Sequence, residues 1–91
     1  YTLMNPASGK YLDVNGAGMG NGTRVDIYSG NGSCAQKWAI VTSGDGYSLY
    51  SACSAKVLDV SAGTISIDGT RVQIWDRNDG DAQRWKFVLK T

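Results

Sequence analysis

The sequence predicts an all-β protein built from two tandem copies of one short repeat. Three observations carry this expectation: self-similarity along the chain, period-two alternation of apolar residues, and turn dipeptides at short intervals. Self-similarity is the most informative. Tyr1-Thr2-Leu3 returns as Tyr47-Ser48-Leu49, and Leu12-Asp13-Val14 returns as Leu58-Asp59-Val60, an offset of 46 residues (Leu12 to Leu58). Gly22-Thr23-Arg24-Val25-Asp26-Ile27-Tyr28 returns as Gly69-Thr70-Arg71-Val72-Gln73-Ile74-Trp75. The offset is then 47 (Gly22 to Gly69), which places one inserted residue between Val60 and Gly69. Ala35-Gln36-Lys37-Trp38 returns as Ala82-Gln83-Arg84-Trp85. The expected units are residues 1–46 and 47–91, with no linker between them.

Alternation and turns fill in each unit. Leu12-Asp13-Val14, Val25-Asp26-Ile27 and Val72-Gln73-Ile74 each read in, out, in, as strands with one face on a core do. Asn15-Gly16, Asn21-Gly22, Asn31-Gly32, Asp45-Gly46, Asp68-Gly69 and Asp79-Gly80 mark turns, because Asn, Asp and Gly tolerate the left-handed backbone that tight turns need. Four short strands per repeat follow, with no helix longer than a single turn before each Gln-x-Trp. The expected core is Leu12, Val14, Val25, Ile27, Trp38, Leu58, Val60, Val72, Ile74 and Trp85. Arg24 and Arg71 recur on a mostly polar face and read as solvated.

Size and composition bound the function. A chain of 91 residues suits one small domain. Gly is abundant at 12 residues and Pro occurs once, which fits an ordered chain with many tight turns. The net charge of +1 gives no footprint for nucleic acid. The longest apolar stretch, Trp38-Ala39-Ile40-Val41, is strand-sized, so no membrane insertion by a helix is expected. There is no His, and the two cysteines form neither a Cys-x-x-Cys nor a Cys/His pattern; no metal site and no cofactor are expected. Cys34 and Cys53 either pair as a disulfide or remain as two buried thiols.

Each copy shows Ser-x-Lys-x-Leu-Asp-Val, then Gly-Thr-x-Val-x-Ile-aromatic, then an Asn in a loop, then Gln-x-Trp. This set resembles the repeat of ricin-B-type lectins over essentially the whole chain. The Gly-His and Trp-Asp signature of propeller blades is not present in that form. The resemblance implies a β-trefoil, in which three such repeats surround a pseudo-threefold axis and each gives two barrel strands and a cap hairpin. This chain has two repeats. Four barrel strands of six leave open edges that invite pairing, so the expectation is a fragment of a longer protein or a homo-oligomer in which another copy completes the barrel.

A sugar needs directional acceptors and donors for its hydroxyls and an aromatic platform for its C–H face. A carboxylate is the stronger acceptor because its hydrogen bonds are charge-assisted. The alternation turns Asp13, Asp26 and Tyr28 away from the core in repeat one, and Asp59, Gln73 and Trp75 in repeat two. The resemblance adds Asn31 and Gln36, and Asn78 and Gln83, from the loops before each Trp. One departure is visible: many relatives carry an Asn just before the Gln, where this chain has Ala35 and Ala82. Blander roles compete. The aspartates can cap turns, the glutamines can satisfy loop backbone, and the outward aromatics can pack on a neighbouring repeat.

The expected function is non-catalytic carbohydrate binding, with a secreted or cell-surface setting and a role in targeting an attached enzyme or surface protein to glycans. The alternative is a protein-interaction or assembly trefoil, which would keep the core without needing an outward Asp beside an aromatic. An enzyme is disfavoured: no His can activate a nucleophile, and Asp13 and Asp59 occupy equivalent, separated places rather than one cleft. Repeat two is the better expected site for a neutral sugar. Trp75 is a larger platform than Tyr28, and Gln73 can donate where Asp26 only accepts.

Overall fold

The computed structural model describes residues 1–61 and 66–88. The residue inserted between Val60 and Gly69 cannot be placed, because 62–65 lie outside the described residues; so do 89–91 at the end of repeat two. The described chain is all-β. Its strands are β1 (Met4–Asn5), β2 (Lys10–Val14), β3 (Val25–Tyr28), β4 (Trp38–Ser43), β5 (Gly46–Ser51), β6 (Val57–Val60) and β7 (Val72–Trp75). Single 3₁₀ turns occupy Asn15–Ala17, Cys34–Gln36 and Asp81–Gln83. Four strands therefore precede residue 46, while among the described residues the fourth strand expected in repeat two is represented by a bridge between Tyr47 and Trp85. Among the described residues, no helix is long and apolar enough to cross a membrane.

All pairings are antiparallel. One sheet runs β1-β2-β3 and the other β4-β5-β6-β7. The β2–β3 register sets Leu12 opposite Ile27 and Asp13 opposite Asp26, and the β6–β7 register sets Leu58 opposite Ile74 and Asp59 opposite Gln73. The hairpin from β4 to β5 turns on Gly44-Asp45, with Ser43 opposite Gly46. The sequence placed that turn one residue later, at Asp45-Gly46. Gly44 supplies the positive φ of 57°. Gly46 serves a different need: a Cβ there would meet the Trp85 carbonyl oxygen at 2.7 Å.

The repeat is visible in single hydrogen bonds. Tyr1 and Trp38 exchange two backbone bonds of 2.8 Å, and Tyr47 and Trp85 exchange bonds of 2.8 and 2.9 Å. The indole of Trp38 donates to the Leu12 carbonyl at 3.2 Å, and that of Trp85 to the Leu58 carbonyl at 3.1 Å. Each tryptophan thus packs as an apolar body with its one donor satisfied, which is why the Gln-x-Trp position takes Trp.

Val14, Ala35, Trp38, Leu49, Leu58 and Ile74 form the core, with Leu3, Leu12, Val25, Ile40, Cys53, Val72 and Trp85 partly buried against it. Of the expected core, Val14, Trp38, Leu58 and Ile74 are fully buried, and Leu12, Val25, Val60, Val72 and Trp85 are half-buried. Ile27 is the exception and is 50% exposed. The reason lies at the contact between repeats. Ile74 exchanges backbone bonds with repeat one: its N–H donates to Thr23 and its carbonyl accepts from Gly22. By the repeat's own symmetry, Ile27 needs an equivalent segment beyond β3, and among the described residues none bonds to it.

Side-chain links reinforce the same contact. Asn21 and Asp76 bond reciprocally across it at 2.8 and 3.0 Å, and Lys56, also of repeat two, pairs with Asp76 at 2.7 Å. Arg24 and Arg71 are both exposed, as expected, and Arg71 also donates to the Gly22 carbonyl across the repeats. Cys34 and Cys53 form a disulfide, with Cα atoms 5.1 Å apart, that joins the loop before Gln36 to the first hairpin of repeat two.

Candidate functional site

The β2–β3 pair ends in a 3₁₀ turn with two successive positive-φ residues, Gly16 and Ala17. That turn and the loop after β3 wall a cavity of about 520 Å³. Asp13, Asp26 and Tyr28 line it from the sheet, Asn15 from the turn, and Asn31 and Ser33 from the loop. The sequence-predicted residues of repeat one therefore converge, apart from Gln36. Asn15 was read only as a turn residue. The signal that could have found it is its place directly after Asp13-Val14, where a turn folds back over the outer face of the strand.

Asp13 faces away from the core, as alternation requires, yet is only 6% exposed. The loop covers that face, so outward does not mean solvated. Gln36 explains the covering. It is buried, its carbonyl oxygen accepts the Asn31 N–H at 3.1 Å, and its amide donates to the Ser29 carbonyl at 2.9 Å and to Asp13 Oδ2 at 3.3 Å. The Gln that recurs in both copies thus clamps the loop and orients the aspartate from behind. Asn15 donates to Asp26 Oδ2 at 3.0 Å, while Asp26 Oδ1 is buried with no partner. Asn31 accepts the Ser33 N–H at 2.9 Å, which shapes the loop. Tyr28 stands 59% exposed beside these acceptors.

Repeat two builds the same frame. Asp59, Gln73 and Gln83 are buried, Trp75 is exposed, and Asn78 is exposed. Gln83 accepts the Asn78 N–H at 2.9 Å and donates to the Asp76 carbonyl at 2.9 Å, repeating the clamp. Asn78 accepts the Gly80 N–H at 2.8 Å. Burial pushes the Asp59 carboxyl above the ordinary carboxylate value, against the opposing pull of hydrogen bonds from Gln73 and Gln83. The wall equivalent to Asn15–Ala17 falls largely outside the described residues. Trp75 is not wholly free: a side chain at Gly22 of repeat one would touch its ring. Tyr28 has no such neighbour given by Gly69.

Similarity to known structures agrees with this geometry. A designed threefold-symmetric protein, ThreeFoil, superposes with a TM-score of 0.92 at 40% identity, covering 98% of this chain and 64% of that one. An exo-β-1,3-galactanase from Clostridium thermocellum matches with a TM-score of 0.91 at 33% identity, over 98% of this chain and 19% of the enzyme. The hemolytic lectin CEL-III matches with a TM-score of 0.82 at 31% identity, over 99% of this chain and 20% of the lectin. The chain thus spans about two thirds of the designed protein and about a fifth of the other two. Among curated proteins, none matches. The profile of the ricin-type β-trefoil lectin domain-like family matches residues 1–75. That match covers most of the chain, which therefore belongs to the ricin-type β-trefoil lectin-like family.

Proposed function

We propose that this chain is a non-catalytic carbohydrate-binding module with one shallow site per repeat. The observation that carries the reading is the repeat-one cavity, where Asp13, Asp26, Asn15 and Asn31 surround an exposed Tyr28. Acceptors, amide donors and an aromatic face are the set that a saccharide ring requires. In repeat two the corresponding residues are Asp59, Gln73, Trp75 and Asn78. Gln36 and Gln83 support the sites by holding the loops. Few polar groups converge at either site, so each binds weakly, with a dissociation constant near millimolar or about −4 kcal/mol, and several sites on one assembly act through avidity. A glycan array probed with the whole chain tests this. Binding of a defined glycan that is lost in the double variant Asp13→Ala/Asp59→Ala sustains it; an array without hits overturns it.

The setting follows from two supports. The Cys34–Cys53 disulfide suits an extracytoplasmic protein, secreted or at the cell surface. The likeness to one fifth of a galactanase supports a role as an appended module that brings an enzyme or surface protein to glycans. A second reading, assembly, is favoured by the apolar open edges: Ile27, Met19, Phe87 and Val88 are all more than half exposed or close to it. A third repeat, from the same protein or another copy, would cover Ile27 as repeat one covers Ile74. Light scattering that shows a stable, compact monomer of the 91-residue chain would count against that second reading.

A further inference from the structure

The two sites differ most in the residue across the strand pair from the shared aspartate. In repeat two it is Gln73, a neutral amide directly opposite Asp59. In repeat one it is Asp26, directly opposite Asp13. Directly opposed residues of an antiparallel pair hold their Cβ atoms about 4.5–5.5 Å apart, so two carboxylates share one cavity wall. The protein supplies each with one side-chain donor, Gln36 to Asp13 and Asn15 to Asp26. Asp26 Oδ1 is buried and receives none. A carboxylate can only accept, and an acceptor withdrawn from water without a donor is costly. Among the described residues, no Lys or Arg lines the cavity to balance the pair.

We infer that the repeat-one site selects an amino sugar carrying a protonated amine, whereas repeat two takes a neutral sugar. The inference rests on the carbohydrate reading of these cavities and adds the charge of the ligand. An ammonium brings three donors and one positive charge to a wall that lacks both. Tyr28 meanwhile offers its ring to the apolar face of the same sugar. A bare metal ion fits less well: calcium seeks roughly six to eight oxygen ligands and would leave the aromatic face unused.

The test titrates the whole chain with glucosamine oligomers bearing free amines and with the fully N-acetylated oligomers of equal length, at slightly acidic pH and low salt. The expected result is about tenfold tighter binding of the amine form, the scale of one charge-assisted contact, with the preference shrinking as salt is added. Asp26→Gln, which copies Gln73, and Asp26→Asn, which keeps the side-chain size, should each bring the ratio of the two affinities close to one. Equal affinities in the unsubstituted chain would overturn the charge selection while leaving carbohydrate binding standing. A preference that survives both Asp26 variants would overturn its assignment to this pair. Binding of the acetylated oligomer that appears only with calcium chloride, and vanishes with a chelator, would overturn it in favour of a metal-bridged site. Failure of the underlying carbohydrate reading has a separate signature: neither oligomer binds and no glycan on the array does.

Discussion

Repeat one and repeat two put the same aspartate in the same place and then surround it differently. Asp13 and Asp59 both follow a buried-face leucine, both sit beneath a loop clamped by a buried glutamine, and both are about equally buried at 6% and 5% exposed. The glutamine clamps themselves match almost bond for bond. Yet Asp59 meets an amide across the strand pair and Asp13 meets a second carboxylate. The cross-strand position lies off the core face, so exchanging Gln for Asp there leaves the fold alone while reversing what the site asks of a ligand. The aromatic positions diverge in the same spirit: Trp75 leans on Gly22 of the other repeat, while Tyr28 stands at an open edge.

The comparison can be broken hardest at the tryptophans. Trp38 is 1% exposed and Trp85 only half-buried, although both donate to the equivalent leucine carbonyl. Trp38→Ala should destabilise by about 3–5 kcal/mol, and Trp85→Ala by clearly less, in equilibrium urea unfolding. Equal losses would mean that the two repeats are buried alike in solution, as they would be if the open edge near Trp85 were covered.

Next in size is the staple between the repeats. Replacing both Cys34 and Cys53 with serine should lower stability by roughly 3 kcal/mol in the chain-entropy account of loop closure. Thermal melts with and without reductant should show the same drop in the unsubstituted chain. No shift in either experiment would show that the bond does not constrain the chain.

Binding comes third. For a neutral sugar, Asp59→Ala should weaken titrated affinity by tenfold or more, about 1.4 kcal/mol, and Asp13→Ala by less, with both variants still folded. The reverse order for a neutral sugar would invert the ranking of the sites.

The smallest effect concerns the exposed link between repeats. The hydrogen bond from Lys56, then that from Asn21, hold the Asp76 carboxyl below the ordinary carboxylate value. A carboxyl lowered on folding contributes stability above its unfolded value, and loses it as pH falls through the folded one. Asp76→Asn should therefore flatten the acid limb of a stability–pH curve and leave neutral-pH binding by repeat one untouched. An unchanged acid limb would show that this link contributes nothing.

Much of this was legible beforehand. Leu12-Asp13-Val14 and Leu58-Asp59-Val60 announced strands whose middle residue leaves the core, and the paired Gln-x-Trp motifs announced the buried indoles. The misses share a cause. Ile27 read as core because its neighbours alternate like those of Ile74; alternation fixes a face but not whether another segment covers it. Asp13 and Asp59 read as pointing away from the core, and alternation could not add that loops distant in sequence fold over that face. The Asp45-Gly46 turn slipped by one residue because the neighbouring Gly44 also tolerates positive φ.

By itself the sequence determined the repeat, the all-β class, the strand faces and the cast of candidate ligands, since these follow from local periodicity and turn chemistry. The alternation also put Asp26 on the same outward face as Asp13; only the tertiary structure decided the register that sets them directly opposite, that the glutamines act from behind, and that Cys34 reaches Cys53. Each of those depends on strand register and on loops closing across the chain, which place residues by geometry that no short stretch of sequence encodes.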